Sequence, residues 1–597
     1  MPIVLSRPLN TSNGHHRRTR RATPVIALAA IAFTIGAIFG SGHHSSPQQR
    51  VAEQFVRAWE RGDYRKMYED IDDTSRRAIS ARAFAEAYEG AARTATETSL
   101  SVTGKVREDS HGAIVVPVRV RTRLWGELAE NVHVTLGESP AGPRIMWDRA
   151  LVFPGLGAGE SLTRRTTLPP RAALLARDGS VLADGAASEA GARSSPLGAA
   201  ATAVVGNIDT IPAARRAKLE SEGIPAGAIV GTSGLELALD ERLRGTPGGE
   251  LLAGERVLAS VAARPSRAVR TTISTAVQRA AVEALGGQLG GIVAMDPASG
   301  GIEAVAGIGI DDLQPPGSTF KMVTLTAALE ARVARESTVF PYATSTTLDG
   351  VKLENANGES CGGSLALAFA VSCNSVFAPL GVKVGAARLV ATAERFGFNH
   401  PPGVQGALES SLPAATRIQG ELDLGSTAIG QGQVQASALQ MVSVAATIAD
   451  GGRRAAPTFE VRHVPRPRAI SAATARTVRR LMIGVVREGT GTSAAIPGVT
   501  VAGKTGTAEL GIPRCAKSEH GSESEGSGGE EAEAKPGAEC ARGSKDPHST
   551  DAWFAAFAPA LHPRIAVGVL LVKDGAGGDT AAPVARQVLE AGLHRGA

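Results

Sequence analysis

The sequence predicts an α+β protein made of several folded units behind one N-terminal membrane helix. Three observations carry that expectation. The chain has 597 residues, more than one hydrophobic core of roughly 250–300 residues accommodates. Residues 15–21 read His-His-Arg-Arg-Thr-Arg-Arg, and a nearly charge-free apolar run follows from Pro24 to Gly40. After that run, helix-like periodicity comes first and strand-like alternation second, the pattern of an α+β unit.

The apolar run is just long enough to cross a ~30 Å hydrocarbon core as a helix. Its flanking arginines belong in the cytoplasm. The expected layout is therefore a cytoplasmic tail (1–22), a membrane helix (23–42) and everything from residue 46 outside the cell membrane, on a single-pass anchor. A cleaved signal peptide shares the basic flank. However, this run is longer than most signal cores, and Gly40-Ser41-Gly42-His43 makes a poor cleavage site.

Three regions follow. In 46–158, Val51, Phe55, Trp59 and Tyr64 recur at near-helical spacing, as do Phe84 and Tyr88. Val118, Val120, Thr122 and Leu124 then alternate with Arg119, Arg121 and Arg123, as in a sheet with one wet face. The region closes on Trp147-Asp148-Arg149-Ala150-Leu151-Val152-Phe153-Pro154-Gly155-Leu156. In 160–270, two apolar runs flank Arg177-Asp178-Gly179-Ser180, a hairpin signal, and residues 231–240 read as a turn into a helix. Nothing in this second region suggests chemistry. In 271–597, Thr275 to Leu285 reads as a helix, and 291–306 as strand, turn and strand. A Gly-, Ser- and Glu-rich insert at about 516–546 holds too little apolar surface to fold.

Net charge is +5, but the basic residues are scattered and never interleave with aromatics, so no nucleic-acid partner is expected. Only 11 of the 63 basic residues are Lys, which makes a lysine inside a motif informative. Three short motifs, two of them with a lysine, lie in the third region. Ser318-Thr319-Phe320-Lys321 follows Pro315-Pro316-Gly317 and opens a helical run, so the spacing predicts Ser318 and Lys321 on one face of a helix start. A serine hydroxyl needs a base to become a nucleophile, and a desolvated lysine amine suits. Ser372-Cys373-Asn374 offers a hydroxyl to relay a proton, and an amide to hold Lys321 and meet a substrate backbone; a plain helix cap would use the same residues. Lys504-Thr505-Gly506-Thr507 follows the β-like Val499–Ala502. Lys504 supplies positive charge, the Thr hydroxyls suit a terminal carboxylate, and Gly506 lets a ligand approach the strand. Backbone N–H groups of Ser318 and Thr507 would form an oxyanion hole. No His accompanies these motifs, which leaves a Ser-His-Asp triad unsupported, and the sequence shows no metal-ligand cluster. No cofactor is implied.

Order, spacing and context of the three motifs resemble those of penicillin-binding proteins, with Cys373 standing where an Asp is frequent. Gly430-Gln431-Gly432-Gln433 and Asp551 to Pro559 extend the resemblance. The segments around 166–185 and 231–240 are similar to the elongated pedestal, or dimerisation, domain of class B members. The order of elements in 46–158 and its closing motif resemble their NTF2-like domain. The resemblance implies a transpeptidase fold, an antiparallel sheet between helices, in 271–597. It also implies a serine D,D-transpeptidase: Ser318 attacks the penultimate D-Ala carbonyl of a peptidoglycan stem peptide ending in D-Ala-D-Ala, and an amine on a neighbouring strand takes the acyl group. β-Lactams would acylate Ser318, and a separate membrane glycan polymerase is the expected partner. A carboxypeptidase or β-lactamase would share the chemistry, but large anchored N-terminal modules argue against a secreted β-lactamase. An idle scaffold would not need Ser318, Lys321 and Lys504 intact.

Outside the membrane, Cys361 and Cys373 meet conditions that oxidise thiols. Cys361 lies in the Gly-rich turn 360–363 and Cys373 after the apolar helical run 365–371. That spacing fits either a disulfide clamping Ser372 and Asn374, or two unpaired thiols near a core. Composition leaves the pairing of Cys515 and Cys540 open.

Overall fold

The computed structural model describes residues 45–140, 142–185, 190–509 and 550–594. The predicted tail, the membrane helix 23–42, the insert 516–546 and both Cys515 and Cys540 lie outside the described residues. Among the described residues no single helix is long and apolar enough to cross a membrane. Backbone packing divides the chain into two compact units, one of residues up to 163 with 252–258, the other of 164–251 with 259 onward.

The first unit opens with α1 (Pro47–Glu60), whose start is fixed by a reciprocal cap. Ser46 Oγ accepts from Gln49 N at 3.1 Å, and Gln49 Oε1 accepts from Ser46 N at 2.9 Å. Helices α2 (Tyr64–Asp70), α3 (Asp73–Ala78) and α4 (Ala81–Thr94) follow, then strands β1 (Glu97–Val102), β2 (Arg107–Glu108), β3 (Ile114–Thr122) and β4 (Gly126–Val134). β3 pairs antiparallel with the other three. Val118, Val120 and Thr122 are buried while Arg119 and Arg121 are exposed, the alternation read from sequence. An aromatic cluster of Trp59, Phe84, Tyr88 and Trp147 closes the helices onto the C-terminal segment: Phe84 and Trp147 stand 5.3 Å apart, and Trp147 Nε1 donates to Tyr88 Oη at 3.1 Å.

The second unit begins with the predicted hairpin, β5 (Leu174–Leu175) against β6 (Val181–Ala183), turned at Gly179 with φ +92°. Helices α5 (Gly234–Ala238) and α6 (Asp240–Arg244) carry two buried acids into a cluster of arginines. Arg171 bridges Glu236 at 2.7 Å and Asp240 at 2.9 Å, Arg193 reaches Glu236 at 2.7 Å, Arg215 reaches Asp240 at 2.6 Å, and Arg244 reaches Asp240 at 3.1 Å.

A five-stranded antiparallel sheet follows, made of β7 (Gly290–Met295), β8 (Ile302–Gly307), β9 (Ala502–Glu509), β10 (Thr550–Ala558) and β11 (Ile565–Leu571) in the order β8-β7-β11-β10-β9. The helices that matter are α7 (Thr275–Leu285), α8 (Lys321–Glu330), α9 (Leu365–Ala370), α10 (Asn374–Val384), α11 (Ala438–Ala449), α12 (Ala472–Glu488) and α13 (Ala581–Leu593). One sheet face packs on Val277 and Leu285 of α7 and Val584 and Val588 of α13. The other packs on Met441 and Val442 of α11 and on Phe320. Strands covered on both faces read as apolar runs, so β7 and β11 are buried at every residue and show no alternation. The catalytic-type sheet predicted between helices is therefore present, with β9 at one edge.

Candidate active site

Ser318 lies in a 3₁₀ turn, Gly317–Phe320, that runs into α8, at the helix start that the sequence predicts. Gly317 has φ +50° and its N–H donates to Gly430 O at 2.9 Å. A Cβ at Gly317 would stand 2.5 Å from Thr507 O, so only glycine lets this turn lie against β9. The same contact holds Ser318 beside the Lys504–Thr507 strand. The Ser318 hydroxyl is half-buried and makes no hydrogen bond to another described residue.

The third motif lies within β9 rather than at the end of a strand over Val499–Ala502. Lys504 to Thr507 pair with Ala555 to Ala552 of β10. Gly506 faces the serine turn so closely that a Cβ would meet Pro316 O at 2.7 Å. The expected reason for glycine was ligand access; the observed one is this backbone approach.

The second motif sits at the end of α9. Val371, Ser372 and Cys373 donate their N–H groups to the carbonyls of Leu367, Phe369 and Ala368, and Ser372 is held at φ +60°. A non-glycine residue in that region costs of order 1–3 kcal/mol and persists where surroundings over-determine it. Here a disulfide joins Cys361 and Cys373, with Cα atoms 5.8 Å apart. Cys361 belongs to a strand, Cys361–Ser364, paired with Val339–Ala343, and not to a loose turn, because the glycines there let the two strands approach. Asn355 adds a second tie: its Nδ2 donates to Ala343 O at 2.7 Å and Ser375 Oγ at 3.1 Å, and its Oδ1 accepts from Ser375 N at 2.8 Å.

These elements converge on two buried lysines, both 0% exposed. Lys321 Nζ donates to Ser372 O at 2.7 Å and Asn374 Oδ1 at 2.6 Å, with Ser372 Oγ farther away at 3.3 Å. Lys504 Nζ donates to Ser372 Oγ at 3.0 Å and Thr505 O at 3.0 Å. Among the described residues neither forms an ion pair with a carboxylate. Each instead stands over an aromatic ring, Lys321 5.7 Å from Phe377 and Lys504 5.6 Å from Phe369. Burial therefore drives the Lys321 amine well below the ordinary lysine range, and the neighbouring Lys504 adds to the shift. Burial pushes Lys504 down to about 7.

Donor counting fits this electrostatics. The two close partners of Lys321, a carbonyl and an amide oxygen, can only accept, so they take two N–H bonds. The third position of a neutral amine is a lone pair, available to a hydroxyl proton. The Asn374 amide does hold Lys321, and one N–H of its Nδ2 donates to Glu354 O at 3.0 Å, which leaves the second N–H for a substrate backbone. The arrangement thus provides a free serine hydroxyl, an amine of lowered basicity, a serine between two lysines and an edge strand with two threonine hydroxyls. Sequence reasoning missed Thr490, Asn355, Phe369 and Phe377. Only the Gly-Thr-Gly-Thr run at 489–492 hinted at a tight turn.

Comparison with known proteins agrees with this geometry. Residues 290–590 match the penicillin binding protein transpeptidase domain, residues 46–160 the NTF2-like N-terminal transpeptidase domain, and residues 185–257 the penicillin-binding protein dimerisation domain. The chain belongs to the penicillin-binding protein transpeptidases. Among relatives of this transpeptidase, peptidoglycan D,D-transpeptidase PbpA of Mycolicibacterium smegmatis is 33% identical over 434 residues, covering 61% of this chain and 80% of that one. The Mycobacterium tuberculosis PbpA is 35% identical over 312 residues, covering 48% and 56%. The crystal structure of the M. tuberculosis protein superposes with a TM-score of 0.54 at 27% identity, covering 71% of this chain and 99% of that one. The same protein as a penicillin G acyl-enzyme complex gives 0.52, at 27% identity, over 71% and 100%.

Proposed function

We propose that the chain is a peptidoglycan D,D-transpeptidase that cross-links stem peptides through an acyl-enzyme on Ser318 and that penicillins acylate the same hydroxyl. The observation that carries this reading is the pair of buried lysines around Ser372, without carboxylate partners, beside a serine with an unengaged hydroxyl. Neutral Lys321 takes the Ser318 proton as Ser318 Oγ bonds to the penultimate D-Ala carbonyl. The N–H groups of Ser318 and Thr507 face the oxyanion. As the C–N bond breaks, Ser372 passes a proton to the departing D-Ala nitrogen. An acceptor amine then attacks the ester, its proton returns by the same route, and Ser318 leaves with its hydroxyl restored. An extended donor peptide adds to the open edge of β9, with its terminal carboxylate toward Thr505, Thr507 and the charge of Lys504.

In this reading residues 1–22 are cytoplasmic, 23–42 span the cell membrane, 160–270 form the pedestal of the transpeptidase domain 271–597, and a separate membrane polymerase supplies glycan strands. The basic run 15–21 ahead of an apolar stretch supports the single-pass anchor. Protease added to intact cells should remove the C-terminal domain and spare an N-terminal tag; protection of the domain would refute that orientation.

The enzymatic reading is tested with the full-length protein in detergent. Benzylpenicillin should attach to the peptide containing Ser318, and Ser318→Ala should abolish labelling with the melting temperature unchanged. A pentapeptide donor with an amine acceptor should yield D-Ala and a new amide. Covalent labelling of Ser318→Ala, or hydrolysis with no amide product, would overturn the assignment.

A further inference from the structure

We propose that Thr490 orients the Thr505 hydroxyl toward the carboxylate of a bound donor or penicillin, and so sets the preference for ligands with a free carboxylate. This rests on the transpeptidase reading of the site and adds to it a positioning residue outside the three motifs. Thr490 follows α12, and its Oγ1 stands 2.6 Å from Thr505 Oγ1 on β9. Its backbone N–H donates to Ala370 O at 3.0 Å, and its hydroxyl also reaches that carbonyl, at 3.3 Å. Ala370 ends α9, two residues before Ser372. Thr490 is exposed, whereas Thr505 is buried.

Proton counting makes the pair directional. Each hydroxyl has one proton and two lone pairs. At 2.6 Å one of them must donate to the other. When Thr490 donates, Thr505 keeps its single proton for an anion, and its oxygen also accepts the long Lys504 contact at 3.4 Å. Ala370 O stays satisfied by the Thr490 N–H. In the reverse order, Thr505 spends its proton on Thr490 and turns lone pairs toward the ligand. A carboxylate therefore selects the first order, and the chain from Thr490 through Thr505 to the anion is polarised in one sense. Because the bond to Ala370 O that anchors the Ser372 turn runs from the backbone of Thr490, replacing the side chain leaves that anchor in place. The hydroxyl and the structural contribution are thus separable.

The test measures acylation rate constants of the full-length protein with benzylpenicillin and with its carboxylate methyl ester. Thr490→Ala should slow acylation by the acid roughly ten- to a hundredfold, as for loss of a hydrogen bond acting on a charged group. The ester rate should stay within about twofold, the scale of an exposed substitution. Thr490→Ser should restore the acid rate, and Thr490→Val, which keeps the volume, should repeat the alanine result if that variant folds poorly. Equal slowing of acid and ester, or no change in either, would overturn the proposal. A wild-type protein that neither compound acylates would instead refute the transpeptidase reading itself.

Discussion

Around Glu236 and Asp240 four arginines meet two carboxylates, whereas around Ser372 two lysines meet none. Both clusters are buried and both belong to the second unit, yet they answer the cost of desolvation in opposite ways. Taking a charge out of water costs several kcal/mol, and an opposite charge with good geometry offsets it. The arginine cluster uses that offset to hold α5 and α6 against the segments that carry Arg171, Arg193 and Arg215. The lysines have only two carbonyls, an amide, hydroxyls and ring faces, so the cost appears as depressed basicity. The difference separates a structural charge cluster, in which each carboxylate meets arginines, from a reactive one, in which burial lowers the basicity of both amines.

Removing one member from each cluster should therefore have opposite consequences. Lys321→Ala is expected to cut benzylpenicillin acylation by roughly 10²–10⁴-fold, the scale of general-base assistance, while the melting temperature holds or rises. A variant with a lower melting temperature and normal acylation would merge the two categories. Glu236→Ala leaves Arg193 without its carboxylate and Arg171 with Asp240 alone, and should cost about 3–5 kcal/mol of stability in denaturant unfolding. The acylation rate of its folded fraction should be unchanged.

The contrast also shows how much of the protein was legible in its sequence. Ser318, Lys321, Ser372, Asn374 and Lys504 could be read because their chemistry is encoded by spacing along short segments. The hairpin at Gly179, the helix Thr275–Leu285 and the alternation of β3 were readable for the same local reason. The arginine cluster was not, since Arg171, Arg193 and Glu236 are far apart in sequence and residues 231–240 show only a turn and a helix. Thr490 and Asn355 escaped likewise, because a threonine after a helix and an asparagine before a turn are ordinary. The left-handed backbone of Ser372 follows from the way α9 ends, a tertiary result with no sequence signature.

A smaller effect is expected at the disulfide, which ties the Ser372 turn to the strand beginning at Cys361. Cys361→Ser should cost about 3 kcal/mol, as for closure of a short loop, and should slow acylation by loosening Ser372. A melting temperature lowered with no change in rate would make the bond a brace for the fold alone.

The central claim is that Lys321 is neutral and Lys504 charged when a ligand binds, and the pH dependence of benzylpenicillin acylation tests it most directly. Lys504 loses its proton as pH rises through about 7, which weakens its hold on a carboxylate and gives a falling alkaline limb. Lys321, driven well below the lysine range by burial and by Lys504, takes up a proton as pH falls, which removes the base and gives the acid limb. Because both amines contact Ser372, the two limbs report the pair as a unit. The account predicts a bell whose alkaline side falls near pH 7; a rate that climbs steadily to the ordinary lysine value of 10.5 would contradict it.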